Sequence, residues 1–586
     1  MYILGISCYY HDASAALLKD GVIVAAAEEE RFTRKKHDTS FPINAIEYCL
    51  KSQNITINDI NYIGFYEKPL LKLERVLSQH LETFPKSFKT FLSSIPSWIN
   101  EKLRIIKSIK KKLKYKGDIL FIEHHLAHAA SSFLVSPFKK SAIVTLDGVG
   151  EWTTTAYGTG NNNDIALIKE IKFPHSIGLL YSTITAYLGF SVNNSEYKVM
   201  GLSPYGEMNK EKNIYYKRFK RIIDLKEDGS YRFNMGYFLY HYKDKMPSKK
   251  ICELLGGPVR KPESELTQRH KDIAAALQLI TEEIIIKILN HVYKETNCNN
   301  LVISGGVGLN SVFNGKILKN TPFKKIWIQP NSSDGGTSMG VASYIYNTVL
   351  GNKRKFILRD AYLGPEFTSE EIRSFLDKNI IKYSEFKDEE ELIKKTAKLI
   401  YENNVIGWFQ GRMEWGPRAL GSRSILSNPC NPEMQEILNL KVKHREKFRP
   451  FAPVVCEDDA LKYFECDNPI PEPTDFMLIV YPIKKEYHKK IPAVTHVDGS
   501  GRLQTIRRFQ NPLYYDLIKK FGKLSKIPIL INTSFNIRGE PIVCSPEDAY
   551  KCMMGTGIDY LIIDKFLIKR EDNPQDIWDN EKYAKD

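Results

Sequence analysis

Leu301-Val-Ile-Ser-Gly-Gly-Val-Gly-Leu-Asn310 is the stretch on which the fold turns. The apolar run from Leu301 reads as a buried strand, the glycines as a tight turn, and the residues beyond them as a helix. Working outward, the same grammar recurs. Lys325 to Gln329 is a strand that ends on Pro330-Asn-Ser-Ser-Asp334-Gly-Gly336 before another helix. Upstream, Ser141 to Leu146 ends on Asp147-Gly-Val-Gly150, and Asp118 to Glu123 leads into His124-His125-Leu-Ala-His128. The chain opens with a strand, Tyr2 to Ile6, then a hairpin through Ala15 to Leu18, the turn Lys19-Asp20-Gly21, and Val22 to Ala27. Glycine- and aspartate-bearing strand ends therefore recur in both halves of the first 350 or so residues. That predicts a duplicated α/β unit with a cleft between its halves, because ligands gather at strand carboxyl ends.

The rest of the 586 residues is too much for one core, so two or more domains are expected. A helical segment from Leu266 to Thr296 belongs to the first domain, residues 1–355. Gly351 to Asp360 reads as a linker. A second α/β domain takes residues 361–570, and 571–586 is a polar tail. With 42% hydrophobic and 26% charged residues the composition is globular. Nine scattered cysteines, without CxxC or zinc-ribbon spacing, fit a reducing compartment. The first residues carry no signal-peptide pattern, and no run of eighteen apolar residues occurs, so a cytoplasmic location is expected. The formal charge of +15 has two readings: attraction to nucleic acid or a membrane surface, or sites for phosphate-bearing small molecules together with a lysine-rich surface. The lysine run from Lys107 to Lys116 reads as an exposed helix end without a catalytic role.

Four constellations carry chemistry. His124 and His128, four apart on a helix, project from one face and can share an ion. Asp147 and Asp334 at glycine-rich strand ends complete a mixed nitrogen and oxygen shell suited to iron, zinc or manganese, whereas His125 faces elsewhere. Ser304 to Asn310 and Asp334 to Ser338 offer backbone N–H groups at helix N-termini for phosphate, and no P-loop sequence is present. The stretch Gly411 to Arg423, with Arg412, Arg418 and Arg423 among Gly, Pro and Trp, is followed by Lys443 to Pro450, Asp498 to Arg502 and Asn532 to Gly539. Guanidiniums on such loops grip a triphosphate and a second small anion. Last, His11-Asp12 just after the first strand is either a general base or a turn.

Together these blocks resemble the NodU/CmcH-type O-carbamoyltransferases of nodulation-factor, cephamycin and aminoglycoside carbamoylation. The likeness is carried in order by HDASAALL, EEERFTRKKHD, HHLAHAASSF, LDGVGEW, EYKVMGLSPYG, SGGVGLN, NSSDGGTSMG, GRMEWGPRALG, KHREKFRPFAP, HVDGSGRLQT and NTSFNIRGEP, from His11 to about residue 545. The resemblance implies an actin/sugar-kinase-like (ASKHA) duplicated first domain and a YrdC-like second domain. It implies that the second domain makes carbamoyl-adenylate from carbamoyl phosphate and ATP with Mg2+, matching Arg418, Lys443, Arg449, Arg502, Asn532 and Arg538. The first domain then transfers the carbamoyl group to a hydroxyl of a small-molecule natural product or glycan. There, His124, His128, Asp147 and Asp334 match an Fe2+ (or Zn2+ or Mn2+) site, Gly305, Gly306, Asn310 and Asp334 the adenylate contacts, His11 the base and Lys36 an acceptor contact. Tyr9 stands where the aminoglycoside enzymes carry an acidic group. No nucleic acid partner and no membrane span are expected, and a homodimer is compatible with the likeness. The alternatives are a tRNA threonylcarbamoyl-type enzyme and a non-catalytic nucleotide-binding scaffold.

Overall fold

The computed structural model describes residues 1–100, 102–446 and 448–574. In it the strand expected at Leu301 runs Asn300–Ser304 within a five-stranded sheet. The order is Lys325–Ile328, Asn300–Ser304, Lys140–Leu146, Thr153–Asn161, Asp164–Lys172. The central strand, Lys140–Leu146, pairs parallel with Asn300–Ser304 on one side and antiparallel with Thr153–Asn161 on the other. A second sheet repeats this plan. Its order is Asp118–Phe121, Ile60–Phe65, Tyr2–Ser7, Ser14–Lys19, Val22–Glu28, with Tyr2–Ser7 central, parallel to Ile60–Phe65 and antiparallel to Ser14–Lys19. Two sheets with one topology are the duplicated α/β unit that the strand ends predicted. Their central strands are buried along nearly their whole length rather than alternately, as sheets covered on both faces require.

The duplication also pairs two helices. His124–Phe133 follows the last strand of one sheet, and Thr337–Tyr344 follows the matching strand of the other. They cross at Gly340, where a Cβ would lie 2.1 Å from the Ala127 carbonyl oxygen, so only a glycine lets the backbones approach this closely. The 29-residue helix Gln268–Thr296 buries Ile273, Leu277, Ile280 and Ile284 along one side. The expected linker is fastened down. Arg354 donates to the carbonyls of Leu134, Ser136 and Phe138, and the Leu358 N–H donates to Val135.

By its internal contacts the chain forms two units: residues 1–29 with 39–358, and 30–38 with the chain from Arg359 onward. The second unit holds a nine-stranded mixed sheet with Ile406–Phe409, Arg423–Ser427, Ile529–Ser534, Ala452–Cys456 and Ser500–Ile506 at its centre. Helices Glu389–Tyr401 and Pro512–Ser525 cover it with a core that includes Trp408, Leu426, Val454, Leu530 and Phe521. Residues 30–38 join this unit through Arg31, which donates to the Gly416 carbonyl, and Arg34, which donates to those of Pro541 and Ile542. Phe32 packs beside Met413, Ala419 and Ile542. Residues 575–586, most of the expected polar tail, lie outside the described residues.

Candidate functional site

In the first unit four side chains meet at one buried point. His124 and His128 project from the first turns of His124–Phe133 with their Nε2 atoms 3.1 Å apart. Asp147, at the end of the central strand Lys140–Leu146, brings Oδ2 to 3.3 Å from His124 Nε2. Asp334, just before Thr337–Tyr344, brings Oδ1 to 3.6 Å from His124 Nε2 and 3.4 Å from His128 Nε2. One ligand atom from each residue lies within 4.8 Å of all the others, and none of the four is more than 7% exposed. Two imidazole nitrogens facing each other beside two carboxylates leave lone pairs converging on one spot. Asp334 Oδ2 is moreover buried without a hydrogen-bond partner among the described residues. The electrostatics ask for positive charge there. Burial pulls the His124 pKa down, but Asp334 and Asp147 outweigh it and raise it to about 9. Burial likewise pushes Asp147 up, and the histidines more than reverse this, holding it well below its usual range. Two imidazoles and two carboxylates suit a divalent transition metal.

The supporting groups explain why the four side chains stand still. The Glu151 carboxylate accepts the His124 N–H at 3.1 Å to each oxygen and the Lys68 N–H at 2.8 Å, capping the ligand helix. Asp147 Oδ1 accepts the Gly306 N–H at 3.0 Å, and His128 Nδ1 lies 3.5 Å from Ser304 Oγ. Gly305, at φ +93°, turns the chain tightly enough to place that N–H, and a Cβ there would meet the Leu146 carbonyl oxygen at 2.2 Å. His125 turns away to Thr145 Oγ1 at 2.7 Å, and burial with the neighbouring histidines lowers its pKa to about 3.

Other residues singled out by sequence sit apart from this point. Asn310 caps the helix Ser311–Asn314 by accepting the Phe313 N–H and exchanges hydrogen bonds with Gln278. The Gly305 N–H donates to the Ser332 carbonyl, so this turn spends its N–H groups on building the site. His11 lies beyond the central strand Tyr2–Ser7, the duplicate of the strand that presents Asp147. Its Nδ1 is 2.7 Å from Asp12 Oδ2 and its Nε2 3.0 Å from the Asn193 carbonyl oxygen. Burial disfavours its charge, yet the Asp12 carboxylate wins and raises the pKa to about 10.

The second unit carries a cationic face. Asn532 lies two residues beyond the core residue Leu530 on Ile529–Ser534, and Gln504 lies beside the core residue Val454 on the neighbouring strand Ser500–Ile506. Asn532 Nδ2 donates to the Ala419 carbonyl at 3.1 Å and to Gln504 Oε1 at 2.6 Å, and Gln504 Nε2 donates to the Leu420 carbonyl at 2.9 Å. These amides pin the loop that bears Arg418 over the sheet. The loop's other end is tied by Glu414 Oε1, which accepts the N–H groups of Leu420, Ser422 and Arg423. Arg502 shares its strand face with Gln504, two residues on. Lys443 is buried and donates to both oxygens of Asn536 at 2.9 Å. Burial, with Arg445, Arg449 and Lys36 nearby, lowers its pKa well below the lysine value. Arg449 pairs with Glu446 at 3.6 Å, and Arg538 reaches the His444 carbonyl at 3.4 Å. Lys36 thus belongs to this cationic group within the second unit.

The arginine-rich stretch divides. Arg418 stands on the pinned loop. Arg423 is fully buried under the Phe409 ring and donates to the carbonyls of Gln410, Ser422 and Pro365, while Arg412 donates to those of Leu363 and Gly364. Those two are structural. Sequence reasoning passed over Glu151, Ser304, Gln504 and Glu414 as site builders. Glu151 and Ser304 lie inside the blocks LDGVGEW and SGGVGLN, but nothing in the residue types marks a carboxylate as a helix cap or a serine as a histidine's neighbour.

The family described as "Carbamoyltransferase N-terminus" matches residues 2–343, and "Carbamoyltransferase C-terminus" matches residues 397–570. An uncharacterized protein of a Synechocystis species is 46% identical, covering 98% of this chain and 97% of that protein. The nodulation protein NolNO of Sinorhizobium fredii is 34% identical, over 97% of this chain and 80% of its own length. Among solved structures, component A of (R)-2-hydroxyglutaryl-CoA dehydratase from Acidaminococcus fermentans covers 59% of this chain and 97% of itself, at 12% identity and a TM-score of 0.32.

Proposed function

Since the chain belongs to the carbamoyltransferase family, we propose that it is an ATP-dependent O-carbamoyltransferase that draws on carbamoyl phosphate. The observation that carries the reading is the convergence of His124, His128, Asp147 and Asp334 in one unit of a chain whose other unit bears a pinned cationic face. On that face Arg418, Arg449, Arg502 and Arg538, with Lys443, hold carbamoyl phosphate and the phosphates of ATP, the guanidiniums in forked contacts, while Asn532 pins the loop that bears Arg418. Burial holds the Lys443 pKa below the usual lysine range, and an anion bound beside it favours its ammonium form. Water cleaves carbamoyl phosphate to carbamate and phosphate, and an oxygen of that carbamate attacks the α-phosphorus of ATP. Pyrophosphate leaves, and the carbamate, a poor electrophile, now carries AMP as a leaving group.

The acceptor hydroxyl then attacks the carbamoyl carbon in the first unit and AMP departs. His124, His128, Asp147 and Asp334 would hold iron, zinc or manganese, which would supply Lewis-acid charge when bound. Gly305, Gly306 and Asn310 set the turn that fixes Asp147 and borders the adenylate. The acceptor displaces the Asn193 carbonyl from His11, and the neutral imidazole, formed when His11 gives its own Nε2 proton to solvent, takes the hydroxyl proton there while Asp12 fixes the ring through Nδ1. The acceptor is a hydroxyl-bearing natural product or glycan, and the product belongs to a biosynthetic route.

Phosphorus NMR of a reaction fed carbamoyl phosphate, ATP and a hydroxyl-rich acceptor mixture tests this. The proposal requires phosphate, pyrophosphate and AMP in equal amounts. Formation of ADP would identify a kinase-type reaction instead and remove the adenylate from the account.

A further inference from the structure

Helix Pro69–Thr83 is turned inside out. Its buried side chains are Lys72, paired with Glu67, and Arg75, stacked 5.0 Å over the Phe173 ring. Leu70 and Leu81 are meanwhile 74% and 81% exposed, with Leu77 exposed between them at helical spacing. The apolar stripe continues through Phe84 and Phe88, whose rings lie 6.2 Å apart, onto Leu92 and Ile99 of the next helix, Phe88–Asn100. A stripe of this size left in water marks a contact surface.

The charge around it says what the contact is. From Phe84 to Lys116 the sequence holds ten lysines and arginines and one acidic residue. Lys86 and Lys89 are exposed between the phenylalanines and the leucine. Helix Ile105–Leu113 buries Ile105, Ile109 and Leu113 and exposes Lys107, Lys110, Lys111 and Lys112. The short turn Lys102–Arg104 packs against all three helices, so stripe and lysines form one surface. Exposed leucines and phenylalanines interleaved with ammonium groups fit a bilayer whose headgroups are anionic: the apolar groups enter the acyl boundary and the lysines meet phosphate. A second copy meeting this face would set like charges against each other, and a nucleic acid backbone gives the leucines nothing to bury in.

We propose that the helices between Leu70 and Lys116 form a peripheral docking surface for anionic bilayers. No helix of the described residues is long and apolar enough to cross a membrane, so the association is superficial and reversible.

Co-sedimentation of the full chain with phosphatidylcholine vesicles, with and without about a third phosphatidylglycerol, tests it. Binding is expected only with the anionic lipid and should weaken in high salt. Lys110→Glu with Lys111→Glu should weaken it by at least roughly fivefold per lysine. Leu81→Ser with Phe88→Ser should also release the protein from vesicles while phosphate and pyrophosphate formation stay unchanged. Equal binding to neutral vesicles, or no vesicle binding with a dimer that Leu81→Ser dissociates in light scattering, would overturn the proposal. So would anionic binding untouched by the apolar pair and matched by nucleic acid.

Discussion

Gly340→Ala is a test of how the duplicated fold builds the cluster proposed to hold a metal. A Cβ at this position would sit 2.1 Å from the Ala127 carbonyl oxygen, whereas carbon and oxygen tolerate about 3.3 Å. The helices His124–Phe133 and Thr337–Tyr344 must therefore part by about 1.2 Å by that difference, because neither backbone can swing aside as a side chain would. One helix carries His124 and His128, and Asp334 immediately precedes the other. The present 3.4 Å between His128 Nε2 and Asp334 Oδ1 would open towards 4.5 Å, roughly, at a centre whose bond lengths tolerate about 0.2 Å. Overpacking of this kind costs about 1–3 kcal/mol of stability, and a lost ligand position weakens metal binding by at least about the 10–100-fold that follows removal of a supporting group. Inductively coupled plasma analysis after gel filtration, beside a thermal unfolding curve, measures both. A Gly340→Ala protein with full metal content and an unshifted transition would refute the helix-crossing argument.

Other expectations rest on particular contacts. Chelation should abolish transfer to the acceptor but leave carbamoyl-phosphate-dependent pyrophosphate release, since the two chemistries use different residues; loss of both by one chelator that spares Mg2+ would contradict this. His11, raised to about 10 in the fold, stabilises the protein fully below its unfolded value of 6.5, and that stability is lost as pH rises through about 10. The melting-temperature gap between wild type and His11→Ala should hence be widest near pH 6 and shrink towards pH 10, and a constant gap would count against the His11–Asp12 pair. Asn532→Leu removes the amide that holds the Ala419 carbonyl and Gln504, so it should cost about 1–3 kcal/mol and slow adenylation more than it raises the KM for the acceptor. Glu151→Gln keeps one acceptor oxygen for the His124 N–H and should lower metal affinity less than Glu151→Ala, checked by competition with a chromogenic chelator.

The strands were legible because sheets covered on both faces need unbroken apolar runs, and their glycine and aspartate ends mark where the chain turns. Topological duplication could be read from the recurrence of those ends before any contact was known. His124 and His128 declared themselves by spacing, and the aspartates by position. What escaped depends on tertiary partners. An arginine that donates to carbonyls, as Arg423 does, looks in sequence like one that grips an anion, as expected of Arg418. The attachment of residues 30–38 to the second unit rests on carbonyls of Gly416 and Ile542, hundreds of residues away, and so leaves no local mark. The inverted helix Pro69–Thr83 has ordinary helical periodicity; only the buried Glu67 and the half-buried Phe173 show which face is inward.

Carbamoyl-phosphate-dependent exchange of labelled pyrophosphate into ATP, without acceptor, tests the central claim most directly. The account predicts exchange in the wild type and its collapse in Arg449→Ala. Exchange that ignores carbamoyl phosphate, or none in metal-loaded protein whether acceptor is present or absent, would contradict it.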